Sequence, residues 1–92
     1  MEIKFLDKAL LEPMLAMNDP LFGHYFSYVA ISVNRQVYCE SVTLSPHQIK
    51  GAFGDDNNAA KSAILIYLCE GVVNSVPIEH KHAVGELFWP SK

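Results

Sequence analysis

The clearest pattern of apolar positions lies between His24 and Leu44, where aromatic and β-branched residues are concentrated. Such residues pack well on a pleated surface, so the pattern predicts two strands, near 25–33 and 37–44. Asn34 lies between them, and asparagine tolerates the left-handed backbone that a tight hairpin turn requires. We therefore expect an antiparallel hairpin, although the alternation is too irregular to assign its two faces.

The N-terminal segment carries two competing patterns. Alternation around Ile3 and Phe5 is typical of a short strand, whereas leucines and methionines between Leu6 and Met17 recur at the three- and four-residue spacing of an amphipathic helix. We expect a short strand and then a helix, for which Asp7 is a candidate cap. Pro13 should break or kink this helix near Glu12, because proline lacks an amide hydrogen and clashes with the preceding turn.

Two further helices are predicted after the hairpin. Ser45-Pro46-His47-Gln48 fits a capping box, in which the Ser45 and Gln48 side chains each bond the other residue's backbone amide. The helix that begins there should be short and end near Phe53. A longer helix is expected from about 58 to 73, and because it contains few charged residues it should lie at the centre of the core.

After Pro77 the chain alternates in a way that is typical of a strand. Ile78, His80 and His82 alternate with Glu79 and Lys81. We expect a third strand around 79–88 with a bulge at Gly85, and a short helix is the alternative. The last three residues, Pro90-Ser91-Lys92, are interpreted as a tail.

These elements predict an α+β fold, in which a small antiparallel sheet of about three strands packs against two or three helices. The 92 residues have a mass of 10.3 kDa, which is the size of one compact domain spanning 1–92. Half of the residues are apolar and 18% are charged. Disorder requires low hydrophobicity and high net charge, so the chain is expected to fold.

The charge balance and the apolar runs limit the partners. Seven Lys and Arg residues against ten Asp and Glu residues give a net charge of −3, whereas free-standing DNA-binding proteins are usually basic. The deficit is also too small for a convincing mimic of the DNA phosphate backbone. The longest apolar run, from Ala63 to Cys69, is far shorter than the roughly 20 residues of a membrane span. With no signal-peptide pattern, we expect a cytoplasmic protein without a membrane partner.

Motifs for chemistry are sparse. Cys39 and Cys69 lie in apolar runs and form no Cys-x-x-Cys pair, so both are expected to be reduced and buried. His80 and His82 would share one face of a strand, but no third ligand is fixed, so neither a metal nor another cofactor is predicted. The sequence contains no nucleophile elbow and no phosphate-binding loop, which favours a protein that is not an enzyme.

Aromatic residues cluster just before and within the first predicted strand of the hairpin. Such a cluster can stack on single-stranded bases, but base-stacking surfaces normally lie among cations, and the nearest cation here is Arg35. We therefore expect these side chains to pack in the core: Phe22, Tyr25, Phe26 and Tyr28.

The candidate binding residues lie in three places. Two carboxylates and two amides stand together at an expected loop tip, where they can cap the next helix or meet a groove rich in Arg and Lys on a partner. A second candidate surface is the predicted strand edge after Pro77, and a cation lies near the hairpin turn. The residues are Asp55, Asp56, Asn57 and Asn58; Glu79, His80, Lys81 and His82; and Arg35.

The chain as a whole resembles the small phage-encoded anti-CRISPR proteins, in particular those that act on the type I-F surveillance complex. The resemblance runs from the opening Met-Glu-Ile-Lys-Phe-Leu-Asp-Lys to the closing Gly-Glu-Leu-Phe-Trp-Pro-Ser-Lys. Because these proteins share no common fold or motif, it assigns no role to any single residue. It implies a protein that binds a multi-subunit, crRNA-guided complex in the host cytoplasm and blocks its target DNA without catalysis.

If the resemblance holds, the protein competes with target DNA through its shape and its charges. The acids Asp55, Asp56, Glu79 and Glu86 would occupy part of a DNA channel lined with cations, and a monomer is expected in the free state. Arg35, Lys50 and Lys81 would leave room for contact with the guide RNA backbone. With so small a net charge, shape and hydrogen bonding must supply much of the specificity.

Two other classes of function remain open. One is an antitoxin-like or regulatory module that acts on another host protein, and the other is an enzyme or metal protein that uses His80 and His82. An interaction module should tolerate alanine at each histidine and cysteine apart from packing losses. A metal protein should lose metal and stability when either of these two histidines is replaced.

Overall fold

The computed structural model describes residues 1–90, which form a three-stranded antiparallel sheet and three helices. The strands lie in the order β1-β2-β3, and the predicted α+β fold is confirmed. Of the expected tail, Ser91 and Lys92 lie outside the described residues. The elements are β1 (Ile3–Pro13), β2 (Tyr25–Val33), β3 (Gln36–Leu44), α1 (Pro46–Phe53), α2 (Asn57–Ser75) and α3 (Ile78–Phe88).

The hairpin of β2 and β3 closes on a two-residue turn. Asn34 and Arg35 have φ values of 51° and 71°, the left-handed pattern of a turn whose twist matches that of the flanking strands. Val33 pairs with Gln36 directly before and after the turn, and the register continues without interruption to the far end of both strands. The predicted hairpin and the role of Asn34 are therefore confirmed.

The N-terminal segment is a strand from Ile3 to Pro13, so the predicted helix after Leu6 is wrong. β1 pairs antiparallel with β2, and its register shifts twice, between Phe5 and Asp7 and between Ala9 and Glu12. Each shift moves the following side chains to the other face of the sheet. The alternation of a strand is lost, and the leucines imitate helical spacing. A proline at the end of this strand is tolerated because β1 lies at the edge of the sheet.

A buried serine supports the second irregularity of β1. Leu11 has a φ of 55°, and its amide donates a hydrogen bond of 2.9 Å to Oγ of Ser27 in β2. Ser27 is only 1% exposed. The hydroxyl thus satisfies an amide at a point where the strand departs from regular pairing.

α2 packs against the sheet and supplies the largest share of the core. Its buried Ile64, Leu68 and Val72 lie four residues apart and belong to the same cluster as Val29 and Ile31 of β2. This confirms the predicted long, central helix. The predicted short helix is also confirmed, because α1 begins at a complete capping box and ends at Phe53.

A glycine allows α2 to approach β3 closely. A Cβ atom at Gly71 would lie 3.1 Å from Cγ of Glu40, closer than ordinary van der Waals contact. The helix continues past this glycine to Ser75, whose Oγ donates a hydrogen bond of 2.6 Å to Oε1 of Glu40. The glycine therefore costs helix propensity but lets the Glu40 side chain lie against the helix.

The segment predicted as a third strand is a helix, α3, so that prediction is wrong. Val84 is fully buried, and Phe88, four residues later, packs against the same core cluster. This spacing places both side chains on one face of a helix. The third strand of the sheet is β1 instead.

The two cysteines differ in exposure. Cys69 is buried in α2, as expected, and burial raises the pKa of its thiol. Cys39 is exposed, which corrects the expectation that it is buried. Its pairing with Ala30 places it on the side of β3 that faces away from the helices.

We predict that Ser27→Ala lowers the free energy of unfolding by about 1–3 kcal/mol, because the Leu11 amide loses its acceptor in a part-buried position. Chemical denaturation followed by circular dichroism measures the change. Ser32→Ala is the matched control, since Ser32 is also buried in β2 and should give a clearly smaller loss. Equal losses for the two variants would show that the hydroxyl of Ser27 has no special role.

Candidate functional site

The first candidate surface, here called the α2-start surface, consists of Asp55, Asp56, Asn57 and Asn58. Asp56 is the N-cap of α2, and its Oδ1 accepts a hydrogen bond of 3.0 Å from the Ala59 amide. The two asparagines belong to the first turn of the helix rather than to a loop. All four residues are exposed. The capping interpretation is confirmed for Asp56, while the Asp55 side chain takes no part in the cap.

A cleft of about 330 Å³ lies beside this surface. Its walls include Lys50 of α1 and Lys61 of α2, together with Asp55 and Asn57. Cations and an acid thus line the same depression. The cleft therefore has mixed charge and offers hydrogen-bonding groups to partners of either sign.

The second group of candidates, Glu79 to His82, forms the first turn and a half of α3. Because a helix turns about 100° per residue, His80 and His82 lie about 200° apart and cannot share a metal ion as strand neighbours would. Nε2 of His80 lies 3.6 Å from Oε1 of Glu79, and Nε2 of His82 lies 3.8 Å from Oε1 of Glu86. Within residues 1–90, no group of three or more His, Cys, Asp or Glu side chains is placed to hold a metal ion.

Lys81 contributes to the fold itself. Its Nζ donates hydrogen bonds of 3.0 and 2.9 Å to the carbonyl oxygens of Val73 and Asn74. These carbonyls lie in the last turn of α2, where acceptors lack partners within the helix. A cation at this position is also favoured by the helix dipole. Any contact of Lys81 with a partner would therefore compete with two internal hydrogen bonds.

Arg35 lies at the tip of the hairpin, at the same end of the molecule as the start of α3. Glu40, in the middle of β3, contacts Gly71 and Ser75 near the C-terminal end of α2, and the hairpin extends beyond this point. The α2-start surface lies at the other end of α2, a 19-residue helix that spans about 28 Å at 1.5 Å per residue.

The predicted site residues are thus divided between two ends of the molecule. The name hairpin-end surface is used here for the candidates toward the other end of the molecule: Arg35 in the hairpin turn, and Glu79, His80 and His82 in α3. His80 and His82 lie on different sides of that helix. The α2-start surface is separate from the hairpin-end surface.

Two aromatic residues lie on the face of the sheet opposite the helices, here called the outer face. Phe26 and Tyr28 stack with ring centroids 6.3 Å apart, so the expectation of core packing is wrong for this pair. It is also wrong for Phe22, which is exposed. Their strand neighbours include Asp7 and Glu12. These acids disfavour a nucleic-acid backbone at the aromatic pair, since such stacking surfaces normally lie among cations.

The outer face contains a hydrogen bond that the sequence did not reveal. The Tyr28 hydroxyl donates to Oδ2 of Asp7, and the Lys8 amide donates to Oδ1 of the same carboxylate at 2.8 Å. These bonds, the one from Tyr28 first, hold the pKa of Asp7 below its usual value. The same contact raises the pKa of Tyr28, with burial adding to the rise.

Sequence reasoning also missed an apolar groove beside β3. Its volume is about 340 Å³, and it lies where β3, α1 and α2 meet. The only signal in the sequence is that α2 carries apolar residues on more sides than the sheet can cover. The lining residues are Val42, Leu44, Phe53, Ala63, Ile64 and Tyr67.

Comparison of the chain with protein families, with curated proteins and with solved structures found no match. None of the helices in residues 1–90 has the length and apolar character needed to cross a membrane. Functional inference therefore rests on the residues and surfaces described above.

We predict that Asp56→Ala lowers the free energy of unfolding by about 0.5–2 kcal/mol, because the Ala59 amide loses its cap. Asp55→Ala removes the same charge one residue away and should leave stability within about 0.5 kcal/mol of the parent protein. Thermal and denaturant unfolding of both variants test this. A larger loss for Asp55→Ala than for Asp56→Ala would show that Asp55, and not Asp56, caps the helix.

We also predict that Asp7→Asn shifts the ionisation of Tyr28 to lower pH, because the negative charge that opposes formation of tyrosinate is removed. Absorbance of tyrosinate against pH measures the shift, and Tyr28→Phe identifies which of the four tyrosines is responsible. The contact stabilises the fold at neutral pH. That stabilisation should be lost as pH rises through the raised pKa of Tyr28, and as pH falls through the lowered pKa of Asp7. An unchanged titration in Asp7→Asn would contradict the assignment.

Proposed function

We propose that the protein is a non-enzymatic inhibitor that binds a crRNA-guided surveillance complex of type I-F in the cytoplasm of a host cell and blocks binding of target DNA. The observation that carries the proposal is the placement of exposed charged and amide groups at two opposite ends of a flat molecule. The α2-start surface and the hairpin-end surface are separated by the length of α2. Two such surfaces allow one small protein to bridge neighbouring parts of an assembly.

The α2-start surface supplies contacts for cations. Because Asp56 is engaged as a cap, Asp55 is the carboxylate of this pair that is free of the capping role. Lys and Arg side chains that line a DNA channel normally meet phosphate groups, and a carboxylate forms strong charge-assisted hydrogen bonds with them. Asn57 and Asn58 add amide groups next to it.

On the hairpin-end surface, Arg35 supplies a contact of the opposite sign. Arg35 follows Asn34 in a turn of left-handed geometry, so its backbone lies at the outermost point of the hairpin and its side chain is exposed there. Guanidinium groups bind phosphate oxygens with little dependence on sequence. This end suits contact with the guide RNA backbone or with an acidic subunit surface.

The shape of the molecule supports steric exclusion of DNA. Its principal dimensions are 42 × 30 × 17 Å, and a length of 42 Å corresponds to about twelve base pairs at 3.4 Å per base pair. A slab of this size can cover the part of a channel in which a duplex begins to unwind. With a net charge of only −3, shape must contribute more than long-range attraction.

We predict that adding the protein to purified type I-F surveillance complex before a fluorescent target duplex abolishes DNA binding at a small molar excess. In the same anisotropy assay, Asp55→Lys should weaken inhibition by more than about 1 kcal/mol, roughly fivefold in Kd, through loss and reversal of an interface charge. Glu12→Lys is the matched control: it changes the net charge equally, but on the outer face, and should inhibit like the parent protein.

Each part of the proposal has its own contradicting result. Undiminished DNA binding in the presence of excess protein would reject this class of function and favour a regulatory module for another host protein. Inhibition that is equally strong in the folded Asp55→Lys variant would exclude Asp55 from the contact. Arg35→Glu then tests the hairpin-end surface in the same assay.

A further inference from the structure

The outer edge of β3 presents backbone groups that no strand within residues 1–90 pairs with. In a two-residue hairpin the pair next to the turn, Val33 and Gln36, exchanges both backbone hydrogen bonds. Hydrogen bonds then recur at every second residue of β3, so the even-numbered residues bond to β2. The amides and carbonyls that point outward belong to Val37, Cys39, Ser41 and Thr43.

The apolar groove described above lies along one half of this edge. Val42 and Leu44 are half-buried, and Tyr67 of α2 is 66% exposed. The side chains of Val42 and Leu44 lie on the face of β3 that meets the helices, because Val42 packs against the same core cluster as Ile64. A side chain from a strand added to this edge would enter the groove if it pointed toward the helices.

The other half of the edge is acidic. A second depression of about 260 Å³ is lined by Glu40, Glu70, Gly71 and Asn74, and it shares Tyr67 with the apolar groove. Ser75 engages one oxygen of Glu40, while Glu70 is exposed. The edge of β3 thus passes from apolar to negatively charged along its length.

We propose that β3 binds an extended peptide segment of a partner protein, which adds a fourth strand to the sheet. Side chains of a strand alternate between faces, so every second residue of the segment faces the helices. A segment antiparallel to β3 would place Lys or Arg opposite Glu40, and apolar residues opposite Val42 and Leu44. Read from its N-terminus, its sequence is therefore apolar-x-apolar-x-basic, where x faces away from the helices.

A second copy of this chain is a poorer occupant of the edge. Full antiparallel pairing of two β3 strands, Gln36–Leu44, would place Glu40 opposite its own counterpart at the centre. Like charges directly opposite each other destabilise a sheet. A segment with a basic residue at this position has the complementary charge. The inference stands apart from the proposed function, because the segment can belong to a protein outside any surveillance complex.

The test uses a synthetic heptapeptide with blocked ends, Thr-Leu-Thr-Val-Thr-Lys-Thr, titrated to millimolar concentration into ¹⁵N-labelled protein. We expect saturable NMR shifts along β3 and slowed amide exchange at its odd-numbered residues, Val37, Cys39, Ser41 and Thr43. A peptide of the same composition with Lys, Val and Leu at adjacent positions should bind several-fold more weakly. No saturable shift in β3, or equal binding of the two peptides, would overturn the proposal.

Variants of the protein test each part of the edge. Glu70→Lys should weaken binding of the lysine peptide about two- to fivefold and strengthen binding of the peptide with glutamate in its place. Tyr67→Ala removes one wall of the groove and should also weaken binding. Because Tyr67 is largely exposed, the fold should stay intact. Unchanged affinity in both variants would place the peptide elsewhere.

Two further measurements test whether backbone pairing holds the peptide and whether a second copy of the chain occupies the edge. Ser41→Pro removes one outward amide hydrogen from an edge strand, where proline is tolerated, and should reduce binding if circular dichroism shows an intact fold. If Ser41→Pro does not fold, the effect of Tyr67→Ala on peptide affinity decides between binding at this edge and binding elsewhere. Sedimentation of the free protein as a dimer that the heptapeptide fails to dissociate would assign the edge to a second copy and reject the proposal.

Discussion

The burial of β2 against α2 is the contact on which the rest of the structure depends. Val29 and Ile31 are fully buried in β2, and Leu68 and Val72 meet the same cluster from the helix. Burial of each such side chain contributes about 1.5–3 kcal/mol. Because β2 is the central strand, this contact also fixes the positions of β1 and β3. The location of each candidate surface follows from the direction of α2 across the sheet.

Elements with strong local signals could be predicted from the sequence. The hairpin follows from Asn34 between two β-rich runs, and α1 follows from Ser45 and Gln48, which form both bonds of the capping box. Asp56 begins α2 for the same kind of reason. In each case the residue that decides the structure lies within a few positions of the groups that it bonds.

The remaining elements depend on contacts that are distant in the sequence. β1 has two register shifts that erase its alternation, and one is supported by Ser27, 16 residues away from Leu11. α3 is fixed by the burial of Val84 and Phe88 against elements that precede it. The candidate site was predictable as a set of polar residues, of which His80 and Lys81 are partly buried. Its division between two ends, and the groove beside β3, arise only from the packing of α2.

Cys39 places an exposed thiol on the edge strand β3. Its thiol lies within the same strand whose odd-numbered backbone groups point outward. A disulfide between the Cys39 residues of two chains would hold two β3 strands side by side and cover the edge of each. Measurements of pairing at this edge therefore need reducing conditions, which exclude such a link.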